Sequence, residues 1–167
     1  MRAFCVSGYR KSGKTTLICQ LIERYRKQGL KVGLLKHSHC PVKDVLKEVS
    51  DTGRYQAVGA ETVALKTPAG LSFIPSQKAF NDEDIIILEG FKKLPLPKIL
   101  TAVNLPTVNK EDFTQIALVY GAAAFPDGTP VFKQGEEDLI AAAILPLSKM
   151  LLPVDLTMFC QMIKEYN

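Results

Sequence analysis

The sequence predicts a three-layer α/β fold, in which a mainly parallel sheet carries a β-hairpin extension. Apolar runs of strand length at Arg2–Ser7 and Asp84–Leu88 indicate buried strands of a parallel sheet. Apolar residues recur at helical spacing over Lys14–Gln28, and a further strand follows at Lys31–Leu35. Strand, helix and strand in this order predict a crossover that lays the helix on one face of the sheet.

Length and composition indicate one soluble domain. The 167 residues contain no repeat or linker, so we assign 1–167 to a single unit. Apolar residues make up 47% of the chain, and the net charge of +4 falls short of the basic stripe of a nucleic-acid binder. No apolar run approaches the roughly 20 residues that span a bilayer, and the cysteines form no C-x-x-C pair. We expect a reduced, cytoplasmic protein that binds neither nucleic acid nor membrane.

The hairpin extension is predicted by two short strands, Thr62–Lys66 and Leu71–Ile74, which flank the turn residues Thr67–Gly70. A strand at Ile116–Tyr120 completes the predicted sheet. Prolines make Leu94–Val108 an irregular stretch in this interpretation. Further helices are predicted at Arg54–Val58, Glu136–Leu145 and Asp155–Tyr166.

The segment Gly8–Thr15 reads G-Y-R-K-S-G-K-T and satisfies the phosphate-loop pattern G-x-x-x-x-G-K-[ST] in full. It follows a predicted strand and precedes a predicted helix, as the pattern requires, which predicts a P-loop NTPase-like fold. The glycines let the backbone approach phosphate, and N–H groups of the loop and helix start attract it. Lys14 provides a cation for the β- and γ-phosphates, and the Thr15 hydroxyl coordinates Mg²⁺. The predicted nucleotide-binding residues are Gly8, Tyr9, Arg10, Lys11, Ser12, Gly13, Lys14, Thr15 and Thr16.

A second acidic element is predicted at the same edge of the sheet. Residues 84–90 read D-I-I-I-L-E-G, a buried strand that ends in a carboxylate. Ligands of open α/β sheets bind at the carboxyl ends of the strands. Glu89 is therefore a candidate metal residue, which acts on Mg²⁺ directly or through water.

The chain's two histidines, His37 and His39, lie beside Cys40 just beyond the second predicted strand. Alternation along extended backbone directs the two histidines to the same side. They could share a metal, or one could act on the γ-phosphate or an attacking water. Solvent-exposed loop histidines are the equal alternative.

Residues 109–112 read N-K-E-D and fit the pattern N-K-x-D, with which many GTPases recognise guanine. In those proteins the pattern directly follows a buried strand. Here it follows the proline-rich stretch, and the predicted strand comes after it. We interpret this match as coincidental, which leaves guanine and adenine undecided at this point.

Several blocks in order along the chain resemble the MobB-type molybdopterin-guanine dinucleotide biosynthesis proteins. They begin with the phosphate loop, G-Y-R-K-S-G-K-T-T-L, and K-V-G-L-L-K-H-S-H. Three further blocks follow: D-T-G-R-Y-Q-A-V-G-A, then I-I-I-L-E-G-F-K with P-K-I, and finally P-V-F-K-Q-G-E-E-D-L-I. The blocks run from Cys5 to about Leu145, so the resemblance covers most of the chain.

The resemblance implies a GTP-binding protein with weak hydrolysis, Mg²⁺ and a homodimer. It also implies an adapter role toward the guanylyltransferase that attaches GMP to molybdopterin. Carried over by position, phosphate and metal are held by Gly8, Gly13, Lys14, Thr15 and Thr16. Lys92 lies near the effector surface. His37, Asp51 and Glu89 line the nucleotide or metal edge.

The chain departs from the family pattern after K-H-S-H, where it reads C-P-V-K-D-V-L-K-E-V-S-D. The family continues there with a further His or Asp and a Pro-Gly-Lys-Asp turn, of which only Asp51 and Thr52 are clear. The second metal or substrate contact, and the choice of a molybdenum or tungsten cofactor, thus stay open. Two alternatives are a small-molecule kinase and a metal-delivery GTPase that resembles the hydrogenase and urease accessory proteins.

Overall fold

The computed structural model describes residues 1–38, 53–74, 80, 82–103, 108–125, 128–150 and 161–166. Within these residues, nine strands form one mixed sheet. The first strands are β1 (Arg2–Gly8), β2 (Val32–His37), β3 (Thr62–Thr67), β4 (Gly70–Ile74) and β5 (Ile85–Glu89). They are followed by β6 (Lys98–Thr101), β7 (Ile116–Tyr120), β8 (Val131–Phe132) and β9 (Lys149–Met150). The helices with both bounds described are α1 (Lys14–Lys27) and α2 (Glu137–Leu147), and residues 53–57 and 161–165 are also helical.

The strand order is β4-β3-β2-β5-β1-β6-β7-β8, with β9 paired to the start of β1. From β3 to β8 the neighbouring strands are parallel, and β4 and β9 are the antiparallel additions. Because β1, β2 and β5 run in the same direction, their carboxyl ends meet at one edge of the sheet. The loops after these strands therefore form a common surface.

Two apolar clusters cover the two faces of the sheet. Side chains alternate along β1 and β5, so Phe4 and Ile87 join one cluster while Cys5 and Leu88 join the other. The first cluster contains the apolar stripe of α1 and part of α2, and the second contains Ile163. This arrangement gives α1 a fixed position beneath the end of β1.

The fold class predicted from the sequence is confirmed. The sheet is mainly parallel, and β3 and β4 form the predicted antiparallel hairpin around Thr67–Gly70. The predicted helix at Asp155–Tyr166 lies partly outside the described residues, but 161–165 are helical.

The interpretation of Leu94–Val108 as irregular is wrong in its centre, because Lys98–Thr101 forms β6. This strand has only four residues and begins with a lysine, so its sequence does not look like that of a buried strand. The Nζ of Lys98 is fully buried among oxygens: it donates to the carbonyl of Leu94, to that of Leu96 at 3.0 Å and to Thr114 Oγ1 at 3.2 Å. Those hydrogen bonds offset the free-energy cost of burying an ammonium group.

Candidate functional site

The phosphate-loop pattern folds into a tight turn between β1 and α1. Lys11 and Gly13 have positive φ angles of 60° and 90°, which curl the backbone of the loop. Backbone N–H groups curled in this way form a concave anion-binding nest. Gly13 is the N-cap of α1, and the first turn of that helix contains no acidic residue. The positive end of the helix is thus open to a negatively charged ligand.

Gly8 is required by close packing beneath the loop. A Cβ at this position would lie 2.4 Å from Thr101 Oγ1 and 2.5 Å from Ser12 Oγ. Those two hydroxyls hydrogen-bond to each other at 2.6 Å, and both side chains are fully buried. The backbone N–H of Val103 also donates to the carbonyl of Ser12 at 3.3 Å. The end of β6 therefore supports the loop from below.

The ammonium of Lys14 lies inside the curl of the loop. Its Nζ donates to the carbonyl oxygens of Gly8 at 3.2 Å and Tyr9 at 2.5 Å. Burial lowers the pKa of Lys14, an effect that Glu89 opposes and that Lys92 and Lys36 reinforce. The lysine is thus partly desolvated and adjacent to other cations, which favours an anionic ligand.

Thr15, Tyr55 and Glu89 form a hydrogen-bonded chain opposite the loop. The Tyr55 hydroxyl donates to Glu89 Oε2 at 2.7 Å and accepts a bond from the side chain of Thr15. Burial and the nearby Glu89 charge raise the pKa of Tyr55, so its hydroxyl keeps its proton. Thr15 and Glu89 thus both interact with the same tyrosine hydroxyl. The arrangement fits a cation held between Thr15 and Glu89.

A cavity of about 390 Å³ opens at this place. The loop from Arg10 to Thr16 lines one side of it, and Glu89 lines the other. A carboxylate and a hydroxyl beside a backbone nest are the donor set that Mg²⁺ and phosphate share in nucleotide sites. The residues present therefore fit a magnesium nucleotide.

His37 lies at the end of β2 and packs against two aromatic rings. Its ring centroid is 5.1 Å from that of Phe91 and 5.0 Å from that of Tyr166. The same rings line a second cavity of about 470 Å³, which meets the loop at Gly8. We call this space, lined by Gly8, His37, Phe91, Lys92, Lys93, Asp112 and Tyr166 among others, the second cavity.

Lys92 connects the second cavity to the loop. Its Nζ lies 4.6 Å from the ring centroid of Tyr9 and 5.2 Å from that of Phe113. The Tyr9 hydroxyl in turn donates to Asp112 Oδ2. Cation–π contacts of this kind hold the lysine over the rings. The structure thus places Lys92 beside the phosphate loop, and Asp112 reaches the same place from the N-K-E-D segment.

The N-K-E-D segment forms a 3-10 turn over Lys110–Asp112. The Asn109 side chain accepts a hydrogen bond from the backbone N–H of Glu111 at 3.1 Å, so it caps its own turn. Asn109 lies well beyond the end of β6 at Thr101, not directly after it. Our interpretation of the match as coincidental stays a prediction.

The structure brings together most of the residues singled out from the sequence. The loop residues, His37, Glu89 and Lys92 all lie at the carboxyl-end edge of β1, β2 and β5. His39, Cys40 and Asp51 lie outside the described residues. Within the part of the chain that the structure describes, no three His, Cys, Asp or Glu side chains are grouped as metal ligands.

Sequence reasoning missed three residues that shape the site. Tyr55 was part of a resembling block but received no role, and Thr101 and Val103 lay in the stretch interpreted as irregular. Tyr55 bonds to Glu89, and Thr101 and Val103 both bond to Ser12, so these contacts join distant parts of the chain. No spacing pattern reveals such contacts, although a buried tyrosine hydroxyl usually has a hydrogen-bond partner.

A further cavity, of about 710 Å³, lies away from the loop between 93–95 and 161–166. Its lining is mostly apolar and holds none of the phosphate-binding elements. Within the described residues, the structure contains no helix of the length and apolar character that crossing a bilayer requires.

Comparison with known proteins assigns residues 3–120 to the family described as "Molybdopterin guanine dinucleotide synthesis protein B" (MobB). A "Probable molybdopterin-guanine dinucleotide biosynthesis adapter protein" of Bacillus subtilis is 35% identical over 106 residues, 57% of this chain and 61% of that protein. The "Molybdopterin-guanine dinucleotide biosynthesis adapter protein" of Haemophilus influenzae is 34% identical over 107 residues, 57% of this chain and 60% of that protein. The chain thus spans about three fifths of the length of these curated relatives.

Solved structures agree with this assignment. "The Crystal structure of Bacillus subtilis MobB" superposes with a TM-score of 0.55 at 25% identity, covering 89% of this chain and 99% of that one. A "MobB protein homolog from Bacillus stearothermophilus" gives a TM-score of 0.51 at 20% identity over 86% of this chain and 95% of that one, which supports the fold alone. These matches do not favour the kinase and metal-delivery alternatives. The matched profile covers more than half of the sequence, and the chain belongs to the MobB family.

Proposed function

We propose that this protein is a GTP-binding adapter with slow GTPase activity in the biosynthesis of molybdopterin-guanine dinucleotide. The observation that carries the proposal is the phosphate loop facing the chain Thr15–Tyr55–Glu89 in a member of the MobB family. The curated relatives are named as adapters in this pathway. The single domain 1–167 and a cytoplasmic location belong to the same proposal.

In this proposal the loop residues from Gly8 to Thr16 bind the triphosphate, with Lys14 on the β- and γ-phosphates. Thr15 and Glu89 hold Mg²⁺, Glu89 directly or through water. When bound, the metal neutralises phosphate charge. His37 and Lys92 lie at the rim of the same edge, and we assign His39 and Asp51 to it by the resemblance alone.

Slow turnover follows from the groups around the cavity. Hydrolysis of a nucleotide needs a residue that orients the attacking water, often a glutamine. Among the described residues that line the loop cavity, Glu89 is the one carboxylate, and its Oε2 already accepts a hydrogen bond from Tyr55. We therefore expect the site to bind phosphate well and to activate water poorly. Such a site can act as a nucleotide-dependent switch or as an anchor for the nucleotide.

Nucleotide binding is tested by titrating the purified protein with labelled GTP and ATP, each with Mg²⁺. We expect preference for GTP, and we expect Lys14→Ala to abolish it. Lys27→Ala, an exposed lysine at the end of α1, is the charge-matched control and keeps full affinity. A preference for ATP would contradict the guanine part of the proposal.

The adapter role is tested by binding to a molybdenum cofactor guanylyltransferase. We expect the protein to form a complex with that enzyme and to run as a homodimer by light scattering. Failure to bind the enzyme with and without GTP would contradict the adapter role and leave the nucleotide result unaffected.

A further inference from the structure

Tyr9, the second residue of the phosphate loop, is held by a distant part of the chain. Its hydroxyl donates to Asp112 Oδ2 and accepts a hydrogen bond from the backbone N–H of Asn109. Its ring packs edge to face on Phe113, with the centroids 5.6 Å apart. The bond to Asp112 raises the pKa of the Tyr9 hydroxyl, which therefore keeps its proton and acts as the donor. The segment around the N-K-E-D match thus fixes one residue of the loop.

The backbone of Tyr9 in turn holds the cation of the loop. Its carbonyl oxygen accepts a hydrogen bond from Lys14 Nζ at 2.5 Å, and the N–H of Ser12 donates to the same oxygen at 3.4 Å. The side chain and the carbonyl of one residue therefore connect Asp112 to Lys14. Because an anion nest works through the precise direction of its backbone groups, a residue that fixes Tyr9 also affects how the loop receives phosphate.

The same distant segment also positions Lys92. The Nζ of Lys92 lies over the rings of Tyr9 and Phe113, 4.6 Å and 5.2 Å from their centroids. The backbone N–H of Thr114 donates to the Lys92 carbonyl at 3.0 Å. The charge of Lys92 is close enough to Lys14 to contribute to its lowered pKa. One short segment therefore arranges both the loop and a second cation beside it.

The polar side chains of the N-K-E-D segment are engaged within the protein. Asn109 accepts a hydrogen bond from the backbone N–H of Glu111 at 3.1 Å, and Asp112 Oδ2 accepts one from Tyr9. Guanine presents a ring N–H and an amino N–H side by side, and a carboxylate binds this pair with both of its oxygens. One oxygen of Asp112 is already bonded to the loop. Its contacts thus fit support of the loop better than recognition of a base.

We propose that Asp112 is a positioning residue of the phosphate loop, which acts through Tyr9 and does not recognise the base. Removal of its carboxylate frees the Tyr9 side chain, and with it the carbonyl that holds Lys14 and the ring beneath Lys92. The loss therefore falls on binding of the phosphates. The inference rests on the proposed function, because it presumes that the loop binds a nucleoside triphosphate.

The experiment compares magnesium-GTP with magnesium tripolyphosphate, which has no base. The full chain is titrated with labelled GTP, and the affinity for tripolyphosphate is measured from its displacement of that label. Asp112→Ala is expected to weaken binding of both ligands by the same factor, roughly 3- to 10-fold. Asp112→Asn keeps a side-chain oxygen that accepts from Tyr9, and it is expected to restore most of the affinity for both.

A double-mutant cycle tests whether Asp112 acts through Tyr9. Tyr9→Phe removes the hydroxyl and keeps the ring, and it is expected to weaken binding of both ligands about as much as Asp112→Ala. The double variant should bind no more weakly than either single variant, because both changes remove the same hydrogen bond. Asp138→Ala is the matched control: this exposed carboxylate lies 2.6 Å from Arg24 Nε, and its removal keeps both affinities. Urea unfolding separates a general loss of stability from this pattern of affinities.

The proposal is overturned if Asp112→Ala or Asp112→Asn weakens binding of GTP and leaves tripolyphosphate unaffected, since Asp112 would then recognise guanine. It is also overturned if Asp112→Ala changes neither affinity, or if the losses of the two single variants add in the double variant. Failure of the proposed function looks different, because the unmodified chain would then not bind labelled GTP.

Discussion

The hydroxyl of Tyr55 joins Glu89 to the phosphate loop: it donates to Glu89 Oε2 at 2.7 Å and accepts a hydrogen bond from the side chain of Thr15. Tyr55 and Glu89 are buried, with exposed fractions of 1% and 6%. Their positions are therefore set by packing before any ligand arrives. In the proposed site Thr15 and Glu89 hold Mg²⁺, and a residue that positions metal ligands affects metal affinity although it does not touch the metal.

Tyr55→Phe is expected to weaken binding of magnesium-GTP about 10-fold or more, because Thr15 and Glu89 lose their shared partner. Binding of GTP in EDTA should change little. The matched control is Tyr25→Phe, which removes a buried tyrosine hydroxyl bonded at 3.0 Å to the Ala141 carbonyl, away from the loop. Equal losses with and without Mg²⁺ would show that Tyr55 acts on the loop and not on the metal.

Gly8→Ala is expected to destabilise the fold by about 1–3 kcal/mol or more and to abolish phosphate binding. Its Cβ would meet the Thr101 hydroxyl at 2.4 Å and the Thr101 carbonyl at 2.6 Å, and backbone cannot yield as a flexible side chain does. Urea unfolding and GTP titration measure the two effects. Gly29→Ala is the control: its φ is 80° but its surroundings are open, so it costs about 1–2 kcal/mol and keeps affinity.

Glu137→Ala is expected to cost about 1–3 kcal/mol of stability. The carboxylate accepts bonds from Tyr120 at 2.7 Å and from the Gly135 N–H at 3.0 Å, and truncation leaves both donors without it. Asp138→Asn, on a side chain that is 82% exposed, should change the stability by less than about 0.5 kcal/mol. Thermal or urea unfolding distinguishes the two variants.

The same carboxylate makes stability depend on pH. Burial raises the pKa of Glu137, but the hydrogen bonds from Gly135 and Tyr120 outweigh it, so the pKa lies below its ordinary value of 4.5. The stabilisation is present above pH 4.5 and is lost as the pH falls through the lowered pKa. We expect Glu137→Gln to reduce this acid dependence in unfolding curves measured from pH 7 downward. An unchanged acid slope would assign the dependence to other carboxyls.

Cys5 is expected to resist alkylation in the folded protein. Burial raises the pKa of its thiol to about 12, with a small opposing effect from Lys98, so the reactive thiolate is scarce at pH 8. Peptide mapping after iodoacetamide treatment should show Cys5 modified only after denaturation, and the half-buried Cys19 modified earlier. Between about pH 9.0 and 12 the unfolded thiol loses its proton first, so this group's contribution to stability falls as pH rises. Rapid labelling of Cys5 under native conditions would contradict its placement in the sheet.

The sequence was sufficient for the loop, its flanking strand and helix, the hairpin and the acidic end of β5, because each is a local pattern. It failed at β6, where prolines and the buried Lys98 conceal a strand of four residues. The pairs β7–β8 and β1–β9 involve strands of two residues, too short for any periodicity. At the site, the contact of Tyr55 with Glu89 joins residues 34 positions apart, and only the sheet topology brings them together.

The ammonium of Lys14 donates hydrogen bonds to two carbonyl oxygens of the loop itself, and a bound ligand must compete with these oxygens for it. The ammonium is already solvated by Gly8 and Tyr9 oxygens, so a ligand must offer more negative charge than two peptide dipoles to draw it away. A single weakly basic anion gains little from that exchange, whereas a chain of phosphates spans the lysine and the helix start together. We therefore expect the loop to bind a chain of phosphates in preference to a small single anion.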